Sequence, residues 1–259
     1  MKKFWRGFYI FLVNAFFFLP IVSVVVGSFN ANSANTSWGG ATLEWYAELL
    51  QDAGLLESLR NTILLAVISM ILAVALGTLA AFGMYRFRFK GKAALDALFY
   101  MPIVIPEVVF GISLMVVFSM AKLPSGLLTL VLAHTTFCIP YVVFNVKASL
   151  EGFDPAVEEA SMDLGASPAL TFRKITMPLI MPGIFSGAYL AFTLSIDDVI
   201  VSSFTNGPGY ITLPIKVWGM TKRQIDPDVY ALSTIIMVVV LGVVLLSQAP
   251  AVRRLRNLS

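Results

Sequence analysis

Long apolar runs dominate the chain, and polar residues collect between them. Six stretches reach the roughly 20 residues that a helix needs to cross a hydrocarbon core of about 30 Å at about 1.5 Å per residue. They run from about Phe8 to Ser28, Asn61 to Tyr85, Leu95 to Ala121, Gly126 to Val146, Leu179 to Phe204 and Val229 to Pro250. Each is apolar on most faces, as expected of helices surrounded by lipid or by one another. The pattern predicts an all-α polytopic bundle of six transmembrane helices, a single domain over residues 1–259. The first run exceeds the roughly 7–15 apolar residues of a cleaved signal peptide and is expected to stay as an anchor.

The polar segments orient this bundle. Lys2, Lys3 and Arg6 precede the first run, and Arg86, Arg88, Lys90 and Lys92 follow the second. Lys147, Arg173 and Lys174 lie between the fourth and fifth, and Arg253, Arg254 and Arg256 follow the sixth. The opposite side holds only Arg60, Lys122, Lys216, Lys222 and Arg223. Basic residues accumulate on the cytoplasmic side, so both termini are expected there. The first outer loop ends in spaced apolar residues and acids from Leu43 to Leu59, which predicts a short amphipathic helix along the outer surface. The last outer loop contains the turn cluster Asn206-Gly207-Pro208-Gly209.

Composition agrees. Hydrophobic residues make up 58% of the chain and charged residues 13%, about half the charged share of soluble domains. Mean hydropathy is +0.84. A single cysteine, Cys138, excludes an internal disulfide, and with the single histidine, His134, it is too little for a zinc site unless carboxylates complete it. Both are expected to be packing residues. The net charge of +3 needs no nucleic-acid partner. No Walker A loop is present, because Gly91-Lys92 is followed by alanine and lacks the upstream glycine. No nucleophile–base pair stands out, so the chain is not expected to be an enzyme or to bind a cofactor itself.

The inner segment from Lys147 to Pro178 has its own pattern. Ala156, Ala160 and Leu164 share one helical face, with Val157 beside them. Gly165 can end that helix in the left-handed conformation. Ser167 can cap a second helix with Pro168 at its first position. The expected shape is helix, glycine turn, helix. Glu159-Ala160-Ser161, Gly165, Ile175 and Pro178 resemble, at matching spacing, the loop signature of bacterial ABC-importer permeases. Ser161 and Met177 depart from that signature. The resemblance implies a coupling loop over residues 147–178 that docks on a separate ATPase subunit through Glu159, Ala160, Asp163 and Gly165.

Acids within spans are costly to bury and point to function. Glu107 lies roughly 18 Å into the third run by helical rise, after Pro102 and Pro106. Asp197 and Asp198 lie in the outer half of the fifth. One is expected to face a pathway while the other caps backbone or pairs. No basic residue stands deep in any run, so the acids suit a cationic substrate. Trp45, with Trp38 and Tyr46, could attract an ammonium group through its ring face or belong to the interfacial aromatic belt.

Wider stretches resemble one branch of that family. Trp45-Tyr46, the run from Tyr85 to Lys92, the run from His134 to Pro140 and the run from Phe192 to Phe204 are similar to permeases of bacterial spermidine/putrescine importers. The resemblance covers nearly the whole chain. It implies a type I ABC importer permease fold in the bacterial inner membrane, and a second, homologous permease. Two ATPase subunits that bind ATP and Mg, and an extracytoplasmic polyamine-binding protein, complete the implied assembly. Its implied substrate pathway contains Glu107, Asp197, Asp198 and Trp45. Another organic cation, an amino-acid derivative or a metal complex remains open as cargo. So does a secondary transporter using the acids as proton relays, which would leave the loop signature unexplained.

Overall fold

The computed structural model describes residues 2–33, 36–152, 154–221 and 227–256. Lys222 and Arg223 lie outside the described residues, as do the side chains of Lys2, Lys3, Arg253, Arg254 and Arg256. The described chain is helical, apart from isolated bridges between Asn30 and Ala41 and between Gly207 and Tyr210. It divides into two compact units, Met1–Leu56 with Val217–Ser259, and Glu57–Lys216.

Four helices are long and apolar enough to cross a membrane: Phe4–Gly27, Ala53–Arg86, Leu127–Glu151 and Pro168–Asp197. A bent pair, Lys92–Val104 and Glu107–Met120, with 110° at its break, has the length and composition of a broken span or a re-entrant loop and makes five spans if it counts as one. The expected sixth run falls on a helix over Pro227–Arg256, whose described apolar part is Pro227–Val239.

In the first unit, α1 (Lys2–Gly27) and α2 (Glu44–Leu49) lie against α12 (Pro227–Arg256). Phe11, Phe16, Phe17 and Leu19 of α1 are exposed, as suits a helix with lipid around it. The loop after α1 is built on Asn30, whose carboxamide oxygen accepts the N–H groups of Asn32 and Gly39 at 3.1 and 2.8 Å. The expected amphipathic helix is shorter than its pattern. It stops at Leu49, and Asp52 then accepts the Leu55 N–H at 2.9 Å, opening α3 (Ala53–Arg86).

The second unit is built around α6 (Leu127–Glu151) and α9 (Met177–Asp197). Gly183, Gly187, Ala191 and Ser195 recur every fourth residue along α9, and all are buried. A Cβ at Gly187 would come within 3.0 Å of the Val142 Cα, and one at Gly77 of α3 within 2.8 Å of the Val142 Cβ. Small residues thus let three backbones close around Val142, which replaces hydrophobic drive with dispersion contacts inside a membrane.

Three expectations of straight spans are corrected. The third run breaks into α4 (Lys92–Val104) and α5 (Glu107–Met120). Pro106 forces Ile105 into the extended region, at φ −69° and ψ 131°. The estimate of an 18 Å depth for Glu107 assumed a straight helix and does not apply. The fifth run stops at Asp197, and α10 (Ile200–Thr205) resumes after an extended Asp198. At its N-terminal end that run begins earlier than expected. Its helix is continuous from α8 (Pro168–Thr171) through a π-helical turn, Phe172–Thr176, into α9. Pro178 lacks an N–H and crowds the carbonyl four residues before it, which a widened turn accommodates. α6 also continues past Lys147, whose Nζ pairs with Asp96 of α4 at 2.7 Å. The segment after the Asn206-Gly207-Pro208-Gly209 cluster contains a further short helix, α11 (Leu213–Thr221).

Candidate functional site

The two helix breaks meet at one place. A cavity of about 320 Å³ is lined by Glu107, Asp197 and Asp198, by Phe110, Phe137 and Tyr141, and by residues flanking the breaks. No lysine or arginine is among its lining residues. Glu107 is the first residue of α5 and is exposed. The break after Pro106 leaves free backbone N–H groups there, a favourable setting for a carboxylate. Phe137 and Tyr141 stand one turn apart on α6, so both rings present to the same side.

The two aspartates differ in their surroundings. Asp198 Oδ1 accepts the Val201 N–H at 3.1 Å and Oδ2 accepts the Ser202 N–H at 2.7 Å. Its side chain is 7% exposed. It therefore starts α10 as a cap starts a helix, satisfying donors that the turn leaves free. Asp197 is the last residue of α9 and is exposed on the cavity.

His134 of α6 fixes this arrangement from behind. It is fully buried. Its Nδ1 lies 2.7 Å from Ser195 Oγ of α9, and its Nε2 lies 2.9 Å from Ser202 Oγ of α10 and 3.5 Å from Asp198 Oδ2. The geometry suits the Nε2–H tautomer, with Nδ1 accepting the Ser195 hydroxyl. Thr129 of α6 donates its hydroxyl to the Thr205 carbonyl at 2.7 Å, at the far end of α10. One helix thus holds both ends of a six-residue helix. The sequence marks Ser195 and Ser202 only as part of the resembling run from Phe192 to Phe204, and Thr129 not at all; none of the three stands out there as a site residue. Their partners lie 61 to 76 residues away, and hydroxyl residues every few positions are common in spans.

Trp45 is not among the residues that line the cavity. It is half-buried in the first unit and donates its indole N–H to the Asn30 carbonyl at 2.8 Å. Tyr46 meets Ser28, with 2.7 Å between the two oxygens.

At the opposite end of the second unit stands the helix–turn–helix expected for the inner loop. α7 covers Ala156–Asp163, and Gly165 has φ +86°. Ser167 accepts the Leu170 N–H, with Pro168 at the first position of α8. Glu159, Ala160, Asp163 and Gly165 are exposed. Val157 and Leu164 are 45% and 90% exposed. The apolar side of α7 is therefore open on this chain.

The family model described as "Binding-protein-dependent transport system inner membrane component" matches residues 73–256. The spermidine/putrescine transport system permease protein PotC of Escherichia coli (strain K12) is 40% identical over 243 residues, covering 94% of this chain and 92% of that protein. The putrescine transport system permease protein PotI of the same strain is 39% identical over 240 residues, covering 90% and 85%. A chain of a solved bacterial ABC transporter involved in import of the acidic polysaccharide alginate shares the fold. Its TM-score is 0.73 at 13% identity, over 98% of this chain and 95% of that one. A chain of the MetNI methionine ABC transporter in an inward-facing conformation gives 0.61 at 17% identity, over 77% and 94%. This chain belongs to the family of binding-protein-dependent transport system inner membrane components.

Proposed function

We propose that this chain is a permease subunit of an ATP-driven importer that passes polyamines, such as spermidine and putrescine, into the cytoplasm. The observation that carries the reading is the cavity where two broken helices bring Glu107 and Asp197 beside aromatic rings without a basic residue. A polyamine alternates ammonium groups with methylene segments. Carboxylates suit the first, and Phe110, Phe137 and Tyr141 suit both, since ring faces attract cations by about 0.5–2 kcal/mol. One carboxylate–ammonium contact at 4 Å is worth about 4 kcal/mol at an effective dielectric near 20. A few such contacts replace part of the hydration shell without trapping the cargo, as a passage requires. The names of the relatives PotC and PotI support the substrate class.

In this reading both termini face the cytoplasm, the bundle has six spans, and a second, homologous permease completes the pathway. Two ATPase subunits with ATP and Mg dock against Glu159, Ala160, Asp163 and Gly165 of the inner loop. An extracytoplasmic binding protein delivers the polyamine to the outer loops. Trp45 belongs to that outer surface and keeps the loop after α1 in place for docking. Binding of ATP closes the ATPase pair, and the inner loop carries that motion to the spans, so access alternates.

The Glu107→Gln variant tests the passage. In the assembled importer it is expected to lower spermidine uptake by about tenfold, the worth of about 1.4 kcal/mol. The binding protein's affinity for spermidine should not change. Undiminished uptake with Glu107→Gln would remove the acid from the pathway.

A further inference from the structure

Glu158 and Glu159 are neighbours in α7, about 100° apart around the helix, and differ in their surroundings. Glu159 is exposed. Glu158 is 6% exposed, and among the described residues of α7 it alone is buried. Its Oε2 lies 3.1 Å from Nη1 of Arg86, the last residue of α3. Its Oε1 accepts the hydroxyl of Thr176, a residue 1% exposed that closes the π-helical turn. That turn runs directly into α9. Beside it, Phe82 of α3 packs on Phe172 with ring centroids 4.7 Å apart.

A helix of eight residues does not hold itself together in water. It needs anchorage, and α7 offers its own chain little apolar surface, because Val157 and Leu164 are turned outward. The Ser161–Thr171 hydroxyl contact at 3.1 Å ties it only to α8. The Glu158 carboxylate joins α7 to the end of α3 and bonds the π turn at the root of α9, on which α7 also packs. A π turn is a site where a helix can shift register, and such turns recur at functional hinges. The latch therefore sits where motion of the inner loop must enter the bundle.

We propose that Glu158, with Arg86 and Thr176, is a positioning residue for energy coupling, the strut through which motion of α7 reaches α3 and α9. Glu159 faces the partner and Glu158 faces the bundle. The inference rests on the reading of the chain as a permease driven by a partner ATPase. Without the strut, α7 still meets the ATPase but swings on its turns, so hydrolysis proceeds while the spans do not follow.

The test uses the whole importer in proteoliposomes, with spermidine uptake and ATP hydrolysis measured together. Glu158→Gln and Arg86→Gln are each expected to lower uptake per ATP hydrolysed by roughly tenfold, in the range of coupling carried by single contacts. Subunit co-purification and basal hydrolysis should stay at the wild-type level. The double variant should lose no more than either single one, and Arg86→Lys should recover most of the ratio. A ratio unchanged in both single variants overturns the strut, and so does additive loss in the double variant. If Glu158→Gln does not assemble, Arg86→Gln decides alone, since the Arg86 side chain is 44% exposed. If wild-type vesicles show no ATP-dependent uptake, the importer reading itself fails, which is a different result.

Discussion

Asp198 commits both carboxylate oxygens to the backbone of Val201 and Ser202, whereas Asp197 leaves its carboxylate exposed on the cavity. The two substitutions to asparagine should therefore fail differently. Asp198→Asn exchanges one acceptor oxygen for an amide donor beside a buried backbone N–H, at a cost of about 1–3 kcal/mol. It should lower the melting temperature of the purified complex and uptake together. Asp197→Asn should lower uptake at an unchanged melting temperature. His134→Leu leaves the Ser195 and Ser202 hydroxyls without their ring partners, again about 1–3 kcal/mol for each, and should behave like Asp198→Asn. Thermal melting of the detergent-purified complex separates the two groups. Division of labour between the aspartates could be expected from the chain, but which one took each role could not. The answer depends on a break that the apolar run hides.

The breaks themselves differ in how plainly the chain announces them. Pro106 marks the first, and only the extent of the turn was missed, since proline can also kink a helix without ending it. Nothing so plain marks the second. The one available signal is an aspartate followed by Val199-Ile200-Val201, a cap residue before three β-branched residues that favour helix poorly. Hydropathy outweighs it, because the residues on both sides are apolar. The inner loop was legible down to its caps, since Gly165, Ser167 and Pro168 each act locally. The packing of α6 on α9 was not, although the four-residue spacing of Gly183, Gly187, Ala191 and Ser195 is visible once a partner helix is known. Gly187→Leu should push α6 and α9 apart at a cost of about 1–3 kcal/mol or more. The variant is expected to be lost from membranes, as read by immunoblot. Gly165→Asp is expected to insert normally yet abolish transport. It places a charged side chain on the exposed turn at φ +86°, a position where glycine is favoured.

At the scale of the molecule, apolar runs told most of the story, because a lipid core demands closed hydrogen bonding and apolar surface over a set length. The proposed orientation rests on the basic clusters alone. Cys138 is the only cysteine and is buried, so Cys138→Ser provides a clean background for labelling. An impermeant maleimide is expected to label Ser33→Cys in intact spheroplasts and Lys90→Cys only after permeabilisation. The reverse pattern would invert the topology. Two breaks, one anionic cavity and one exposed loop around α7 support the proposed account, in which ATP spent by a partner would move a polyamine past carboxylates. The most direct test is accumulation of radiolabelled spermidine in proteoliposomes holding the whole importer, with this chain as wild type or as Asp197→Asn. The account predicts accumulation that requires both ATP and the loaded binding protein, reduced roughly tenfold by Asp197→Asn with the complex intact. Accumulation driven by a proton gradient without the ATPase, or uptake indifferent to Asp197→Asn, would contradict it.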